Sequence, residues 1–167
     1  MKHKFVWASL LLISLAACSG GRDDVIKREG EPDFTAIGED DAEMNAAMSR
    51  GRSTLDEFEQ RLASPPASQG YIAIKGRFEE DGSVEHIWLD DVAVLPEGYR
   101  GKVGNTPVYI TRLAPGQEVI VSRADVSDWM AVDDGKLVGG YTIRVLRDRL
   151  SDAERAEFDA STGFKVE

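Results

Sequence analysis

Residues 71–89 read YIAIKGRFEEDGSVEHIWL, and this stretch decides the fold. Apolar residues alternate with polar ones on both sides of the central Asp81-Gly82 pair. An Asp-Gly pair between alternating runs is the strongest short-range signal for a β-hairpin. We therefore predict two antiparallel strands, at 71–78 and 83–89, joined by a tight turn.

Beyond this hairpin, short apolar runs separated by turn residues continue along the chain. Strands that follow one another closely, with no helix between them, pair antiparallel. The runs predict strands at 92–95, 99–103, 108–111, 118–122 and 126–132, and the turn Asp133-Asp134-Gly135-Lys136 leads into a last one at Leu137-Val138.

A helix is predicted before the sheet. Apolar residues recur at spacings of three and four from Met44 to Leu62, and Asp40 or Asp41 can cap the start. Gly51 lies inside this stripe, where glycine is unfavourable. We therefore expect its backbone to approach another element closely.

Two short helices are predicted after the sheet. Residues 141–150 are rich in β-branched side chains, which leaves a strand as the alternative, but Ile143 and Leu146 have helical spacing. Ser151-Asp152-Ala153-Glu154 is a capping box, which predicts a final helix from about Asp152 to Asp159. The fold class is α+β: one long N-terminal helix packed on an antiparallel sheet or small open barrel of six to eight short strands, then short helices.

The N-terminus, MKHKFVWASLLLISLAACSGG, has the pattern of an export signal. A basic start and an apolar run of about eleven residues, too short to span a bilayer, indicate a cleaved signal peptide over 1–17. Leu15-Ala16-Ala17-Cys18 resembles the bacterial lipobox, which implies a lipid-modified (palmitate-bearing) Cys18. The alternative is an ordinary signal peptide with a chance cysteine.

This pattern divides the chain into the signal peptide, a flexible Gly- and charge-rich tether over 18–39, and one globular domain over 40–167. The expected location is the bacterial cell envelope, facing the periplasm. Ser19 follows the cysteine, where an aspartate would favour the inner membrane, and this favours the outer membrane.

The charge and the cysteine and histidine content exclude several classes of partner and cofactor. The 167 residues carry a formal charge of -10, which becomes -12 when Lys2 and Lys4 are removed. An acidic surface is repelled by phosphates, so we expect neither nucleic-acid binding nor docking through basic patches. Cys18 is the one cysteine and His86 the one histidine of the predicted mature chain, so we expect no disulfide, metal or other cofactor.

Several runs occur together in a way that resembles a known family. They are Ser53-Thr54-Leu55-Asp56-Glu57-Phe58, Glu85-His86-Ile87-Trp88, Asn105-Thr106-Pro107, Val126-Ser127-Asp128-Trp129-Met130 and residues 139–146, GGYTIRVL. Together they resemble the bacterial YegJ-like family, built on the domain of unknown function numbered twenty-three fourteen. The resemblance covers about residues 40–158 and implies no activity or catalytic residue. Domains of this kind beside ankyrin repeats imply interaction more than chemistry.

His86 is the first candidate site residue. Alternation places it on the same strand face as Trp88, on a strand that we expect to be covered on both sides. One interpretation is a packed histidine with a satisfied ring. The other is a general base near neutral pH, which needs a carboxylate partner such as Glu85, Asp125 or Asp128.

The second candidate is the Asp128-Trp129 pair with Tyr141 and Arg144 near it. A partly exposed Trp129 would anchor a binding partner. The alternative is a buried Trp129 in the core, with Asp128 capping a helix or pairing with Arg144.

The sequence thus favours a lipid-anchored envelope protein with a non-catalytic interaction or accessory domain, tethered to the membrane through Cys18 and bound to an envelope protein. The alternatives are a hydrolase-like envelope enzyme that uses His86, and a binder of small ligands or cell-wall fragments.

Overall fold

The computed structural model describes residues 40–167 and three short strands before them, namely β1 Leu12–Leu15, β2 Asp24–Ile26 and β3 Phe34–Ala36. The remainder of the predicted signal peptide and tether, with Cys18, lies outside the described residues.

The domain consists of four helices around a six-stranded sheet. The helices are α1 Ala42–Ser53, α2 Leu55–Ala63, α3 Tyr141–Arg149 and α4 Asp152–Ser161. The strands are β4 Gln69–Glu80, β5 Ser83–Leu95, β6 Gly98–Val103, β7 Glu118–Ser122, β8 Val126–Asp133 and β9 Lys136–Gly139. The predicted α+β class, with an antiparallel open sheet and short C-terminal helices, is confirmed.

The β4-β5 hairpin forms the centre of the sheet. Asp81 and Gly82 adopt φ values of 50° and 79°, as a two-residue hairpin turn with positive φ at both central positions requires. β8 and then β9 extend the sheet beyond β4, while β6 and then β7 extend it along the second half of β5. β1 pairs with the first half of β5 through Ile13 and His86.

Each face of this sheet is covered. On one face, α2 and the β6-β7 ribbon bury a core that includes Phe58, Ile74 and Trp129. On the other, α1, α3 and α4 cover Trp88, Met130 and their neighbours. The strand that contains His86 is therefore buried on both sides, as predicted.

The predicted single long N-terminal helix is wrong, because two helices meet at Thr54. The residue has φ -109°, outside the helical range. Its hydroxyl accepts a hydrogen bond from Trp129 Nε1 at 2.8 Å. α1 packs against the α3 side of the sheet, whereas Leu55 and Phe58 of α2 belong to the opposite core. The spacing from Gly51 to Leu55 continues the helical stripe across the break, so periodicity alone could not reveal it.

Gly51 lies where α1 crosses the start of β8. A Cβ atom at this position would come within 2.9 Å of both the Ser127 carbonyl oxygen and the Asp128 Cα. The predicted close backbone approach is confirmed, and it brings α1 directly against the strand that carries Asp128.

Two strand predictions are wrong. Residues 108–111 form a loop, because the amides of Val108, Tyr109 and Ile110 donate to the buried Glu85 carboxylate instead of to a strand. Residues 92–95 are not a separate strand but the end of β5, which continues through an irregularity at Asp91, where φ is 50°.

Candidate functional site

A buried polar cluster lies on the helix-covered face of the sheet. Lys75 of β4 is opposite Asp128 of β8, and their exposed fractions are 1% and 0%. Thr142, in the first turn of α3, connects them. Lys75 Nζ donates to Thr142 Oγ1 at 3.2 Å, and Thr142 Oγ1 donates to Asp128 Oδ2 at 2.7 Å.

The Asp128 carboxylate also caps α3. Its oxygens accept the amide of Thr142 at 2.8 Å and that of Tyr141 at 3.2 Å. Gly140, which precedes the helix, has no side chain to accept these hydrogen bonds. A carboxylate at a helix N-terminus satisfies free N–H groups and interacts favourably with the helix dipole. The capping role predicted for Asp128 is confirmed.

Burial dominates the protonation of this pair. It lowers the pKa of Lys75 to about 8 and raises the pKa of Asp128, while each charge partly offsets the shift of the other. Lys75 Nζ also lies 4.6 Å from the centre of the Trp88 ring, a cation-π contact. The cluster joins β4, β5, β8 and α3 from within.

His86 and Trp88 lie next to this cluster on β5, with exposed fractions of 3% and 2%. Among the described residues, neither ring nitrogen of His86 has a hydrogen-bond partner. The same is true of Trp88 Nε1. Burial, followed by the positive charges of Lys75, Arg77 and Arg52, lowers the pKa of His86 to about 3. The imidazole is therefore neutral at physiological pH.

The carboxylates proposed as partners of His86 are engaged elsewhere. Glu85 accepts three loop amides, Asp125 is exposed and accepts a hydrogen bond from Ser122, and Asp128 caps α3. No hydrogen bond joins any of them to His86 within residues 40–167. The structure does not assemble the general-base arrangement.

Trp129 is fully buried, with an exposed fraction of 0%. Its ring packs against Phe58 at 5.8 Å and against Tyr141 at 6.5 Å between centres. In this structure Trp129 supports Tyr141 from below, and Tyr141 is the partly exposed aromatic of the pair.

A groove of about 960 Å³ runs between α1 and the segment from β9 to α3. We call it the α1-α3 groove. Its lining includes Ala46, Arg50, Tyr141, Arg144 and Val145. The Arg50 guanidinium lies 5.4 Å from the centre of the Tyr141 ring and forms no ion pair with a described residue. A cation, an aromatic ring and small apolar residues therefore share one surface.

Arg144 lines the groove, but its guanidinium binds backbone groups at the edge of the sheet. Its guanidinium donates to the carbonyl oxygens of Gly139 at 3.0 Å and Leu137 at 2.8 Å, and also to that of Glu167. The carbonyl groups of Leu137 and Gly139 belong to β9, which is an edge strand of the sheet. Exposed backbone groups on an edge strand promote pairing with other chains. Arg144 does not pair with Asp128, as one alternative proposed, but covers this edge.

A second cleft, of about 710 Å³, lies near the Tyr71 and Asp90 side chains. Tyr71 donates a hydrogen bond to Asp90, and burial raises the pKa of that carboxyl group. Gln69 Oε1, in the same cleft, has no hydrogen-bond partner in the described part of the chain. The acceptors that the cleft lining offers to a polar ligand are the carboxylates of Asp90 and Asp91.

Across residues 40–167 and the three short strands, no three His, Cys, Asp or Glu side chains are grouped to hold a metal ion. No helix in the same part of the chain is both long enough and apolar enough to cross a membrane.

The fold and the groove define a small α+β domain with a structural polar interior and a surface groove. Residues 41–166 match the family described as "uncharacterized protein conserved in bacteria (DUF2314)", and the chain belongs to this family.

Two relatives are similar to it. A putative ankyrin repeat protein of Neisseria meningitidis is 32% identical over 132 residues, which cover 74% of this chain and 52% of that protein. The uncharacterized protein YegJ of Escherichia coli is 30% identical over 143 residues, 86% of each chain. The chain thus spans about half the length of the Neisseria relative. No solved structure matches it.

Sequence reasoning missed Lys75, Thr142 and Arg50. For Lys75 a signal existed, because strand alternation places it on the same face as Ala73 inside a hairpin predicted to be buried. Thr142 and Arg50 gave none, since their positions depend on how α3 and α1 approach the sheet.

The buried pair predicts a strong dependence on both partners. We expect Asp128→Asn to lower the free energy of unfolding by about 3–5 kcal/mol, because it leaves a buried charge without its counterion. Lys75→Met in the same chain should restore much of that loss. Lys102→Met, which removes an exposed ion pair with Asp91, should cost less than about 1 kcal/mol. Urea unfolding of Asp128→Asn, Lys75→Met, the double variant and Lys102→Met tests this, and a double-variant loss equal to the sum of the Asp128→Asn and Lys75→Met losses would contradict it.

The buried neutral His86 predicts acid sensitivity. The unfolded chain binds a proton below about pH 6.5 while the folded imidazole does not, so stability falls as pH drops from 6.5 towards 3. Between pH 7 and 4.5 the wild type should lose about 2–3 kcal/mol more than His86→Met. Equal losses in urea titrations at the two pH values would show that His86 is not buried and neutral.

Proposed function

We propose that this chain is a lipid-anchored envelope protein whose domain binds another envelope protein through the α1-α3 groove. One observation carries the binding part. The chain has a formal charge of -10, yet Arg50, which forms no ion pair with a described residue, presents its guanidinium over the partly exposed ring of Tyr141. Arg and Tyr are the residues that recur at the energetic centres of interfaces.

The groove indicates the chemistry of its partner. The other nearby charges are engaged, since Glu43 pairs with Arg149 at 3.1 Å and Arg144 binds carbonyl oxygens. Arg50 therefore leaves a local positive charge beside Ala46 and Val145. We propose a protein segment with a carboxylate next to an apolar side chain as the partner, because Arg binds carboxylates through paired hydrogen bonds.

The lipid anchor rests on the sequence of the first residues. The lipobox-like Leu15-Ala16-Ala17-Cys18 follows a basic start and a short apolar run. Two or more acyl chains on Cys18 would hold the protein at the membrane without help from its acidic surface. We propose attachment to the outer membrane, because Ser19 and not aspartate follows the cysteine.

A non-catalytic role agrees with the geometry of the interior. Lys75 and Asp128 neutralise each other, and His86 is neutral and buried. A general base must reach the proton that it abstracts. His86 lines neither the α1-α3 groove nor the Tyr71-Asp90 cleft.

A second candidate function concerns the Tyr71-Asp90 cleft. The carboxylates of Asp90 and Asp91 in its lining favour a small ligand rich in hydroxyl or amino groups, such as a cell-wall fragment. The groove is preferred because it combines a cation, a partly exposed aromatic ring and small apolar residues on one surface.

Site-specific crosslinking tests the groove. A photoreactive amino acid at Ser49, an exposed groove residue, should give one specific adduct in intact membranes. Arg50→Glu should reduce that adduct about tenfold, because it reverses the charge that meets the partner carboxylate. Arg100→Glu changes charge equally on β6, outside the groove, and should leave the adduct intact. An adduct that is unaffected by Arg50→Glu would contradict the proposal.

Fatty-acid labelling tests the anchor separately. Cells given an alkyne fatty acid should label the wild-type chain, and Cys18→Ala should abolish that label because no other thiol is present. Ser19→Ala, next to the proposed acylation site, is the control and should label normally. Continued labelling of Cys18→Ala would refute the lipobox interpretation.

A further inference from the structure

The outer edge of β7 is open. Among the described residues, β7 pairs with β6 and with no other strand. The Val103 amide donates to the Gln117 carbonyl at 2.9 Å, which fixes the alternation of the ladder. Hydrogen-bonded pairs recur at every second residue of an antiparallel ladder. Val119 and Val121 therefore bond to β6, while the backbone N–H and C=O groups of Ile120 face outward.

Two other edge segments of the sheet, β9 and the part of β5 at Trp88, are covered. Arg144 binds the carbonyl oxygens of β9, and the Leu137 amide donates to Lys165 at 2.8 Å. The segment after β6 covers β5 at Trp88, where the Gly104 amide donates to the Trp88 carbonyl at 2.8 Å and the Trp88 amide donates to Asn105 Oδ1 at 3.1 Å. Proteins usually protect edge strands with lysine, proline or a covering segment, because an open edge pairs with other chains. β7 contains neither lysine nor proline, and the Ile120 side chain is 55% exposed.

We propose that two copies of this chain associate by pairing their β7 strands antiparallel about Ile120. The register makes the strand complementary to itself. Ile120 faces Ile120 of the second copy, and the backbone groups of Glu118 face those of Ser122. Glu118 is the one charged residue of β7, so no like charges are opposed across the new ladder.

This arrangement has the two-fold symmetry of most homodimers. Each strand contributes the outward N–H and C=O groups of Glu118 and Ile120 and the N–H group of Ser122, and the exposed Ile120 side chains become a cross-strand pair. The formal charge of -10 on each copy opposes association. The dimer therefore strengthens as salt rises, since screening weakens the repulsion between the copies.

Disulfide trapping tests the register. In a hydrogen-bonded antiparallel pair the facing Cα atoms are about 5.5 Å apart, which a disulfide spans. Ile120→Cys, in the full chain with Cys18→Ser, should form a disulfide dimer under mild oxidation in detergent. Val94→Cys is the control, because Val94 is 50% exposed but lies on β5. We expect at least a tenfold larger dimer fraction for Ile120→Cys, and equal fractions would overturn the proposal.

A proline variant tests the backbone pairing. The Ile120 amide faces outward, so proline removes no hydrogen bond to β6. Ile120→Pro should keep the circular dichroism spectrum of the wild type and lose the dimer seen by light scattering of the full chain at high salt. A wild-type chain that stays monomeric there, or an Ile120→Pro chain that dimerises equally, would overturn the proposal. If Ile120→Pro does not fold, the cysteine comparison decides.

Discussion

The Asp128 carboxylate is the interaction on which the rest of the structure depends. It lies between β8, the first turn of α3 and the ammonium group of Lys75, and it is fully buried. A buried charge is tolerated only with counterions and hydrogen bonds around it. Asp128 therefore requires β4, β8 and α3 to adopt one relative position. Gly51 adds α1 to this arrangement, because only a residue without a side chain allows α1 to lie against Asp128.

This constraint separates the interior from the surface. The helix-covered face contains a lysine, a carboxylate, a threonine and a histidine, the residue types of many active sites. Here the first three are joined to each other and to helix amides, while the histidine is neutral and buried. Their chemistry is used to fix the fold. We propose the surface above them for binding, where the Tyr141 ring packs against Trp129 and contacts the Arg50 guanidinium.

The sequence predicted those parts of the fold that depend on local signals. Asp81-Gly82 located the central hairpin, Ser151 and Glu154 located α4, and the spacing of Ile143 and Leu146 correctly favoured a helix over a strand. The failures have a common physical cause in tertiary contacts. The helix break at Thr54 depends on the indole of Trp129, and the loop at 108–111 depends on the carboxylate of Glu85. Neither contact leaves a mark in the periodicity of the segment that it changes.

The candidate site divides in the same way. Sequence alone identified Asp128, Trp129, Tyr141 and Arg144 as one group, and the structure brings them together. The sequence could not distinguish the roles of these four residues, because each role depends on how deeply the side chain is buried. Trp129 is buried in the core and packs against Tyr141. Arg144 covers the β9 edge, and Tyr141 is partly exposed at the surface. Arg50, which completes the groove, comes from α1, almost a hundred residues earlier in the chain.

Native-state hydrogen exchange at the start of α3 tests the central claim most directly. First-turn amides of a helix have no partners within the helix and normally exchange fast. Because Asp128 accepts the amides of Tyr141 and Thr142, we predict that these two exchange as slowly as the β8 core, through global unfolding. Fast exchange of the Thr142 amide, at a rate typical of exposed helix starts, would show that the Asp128 carboxylate does not hold the structure together.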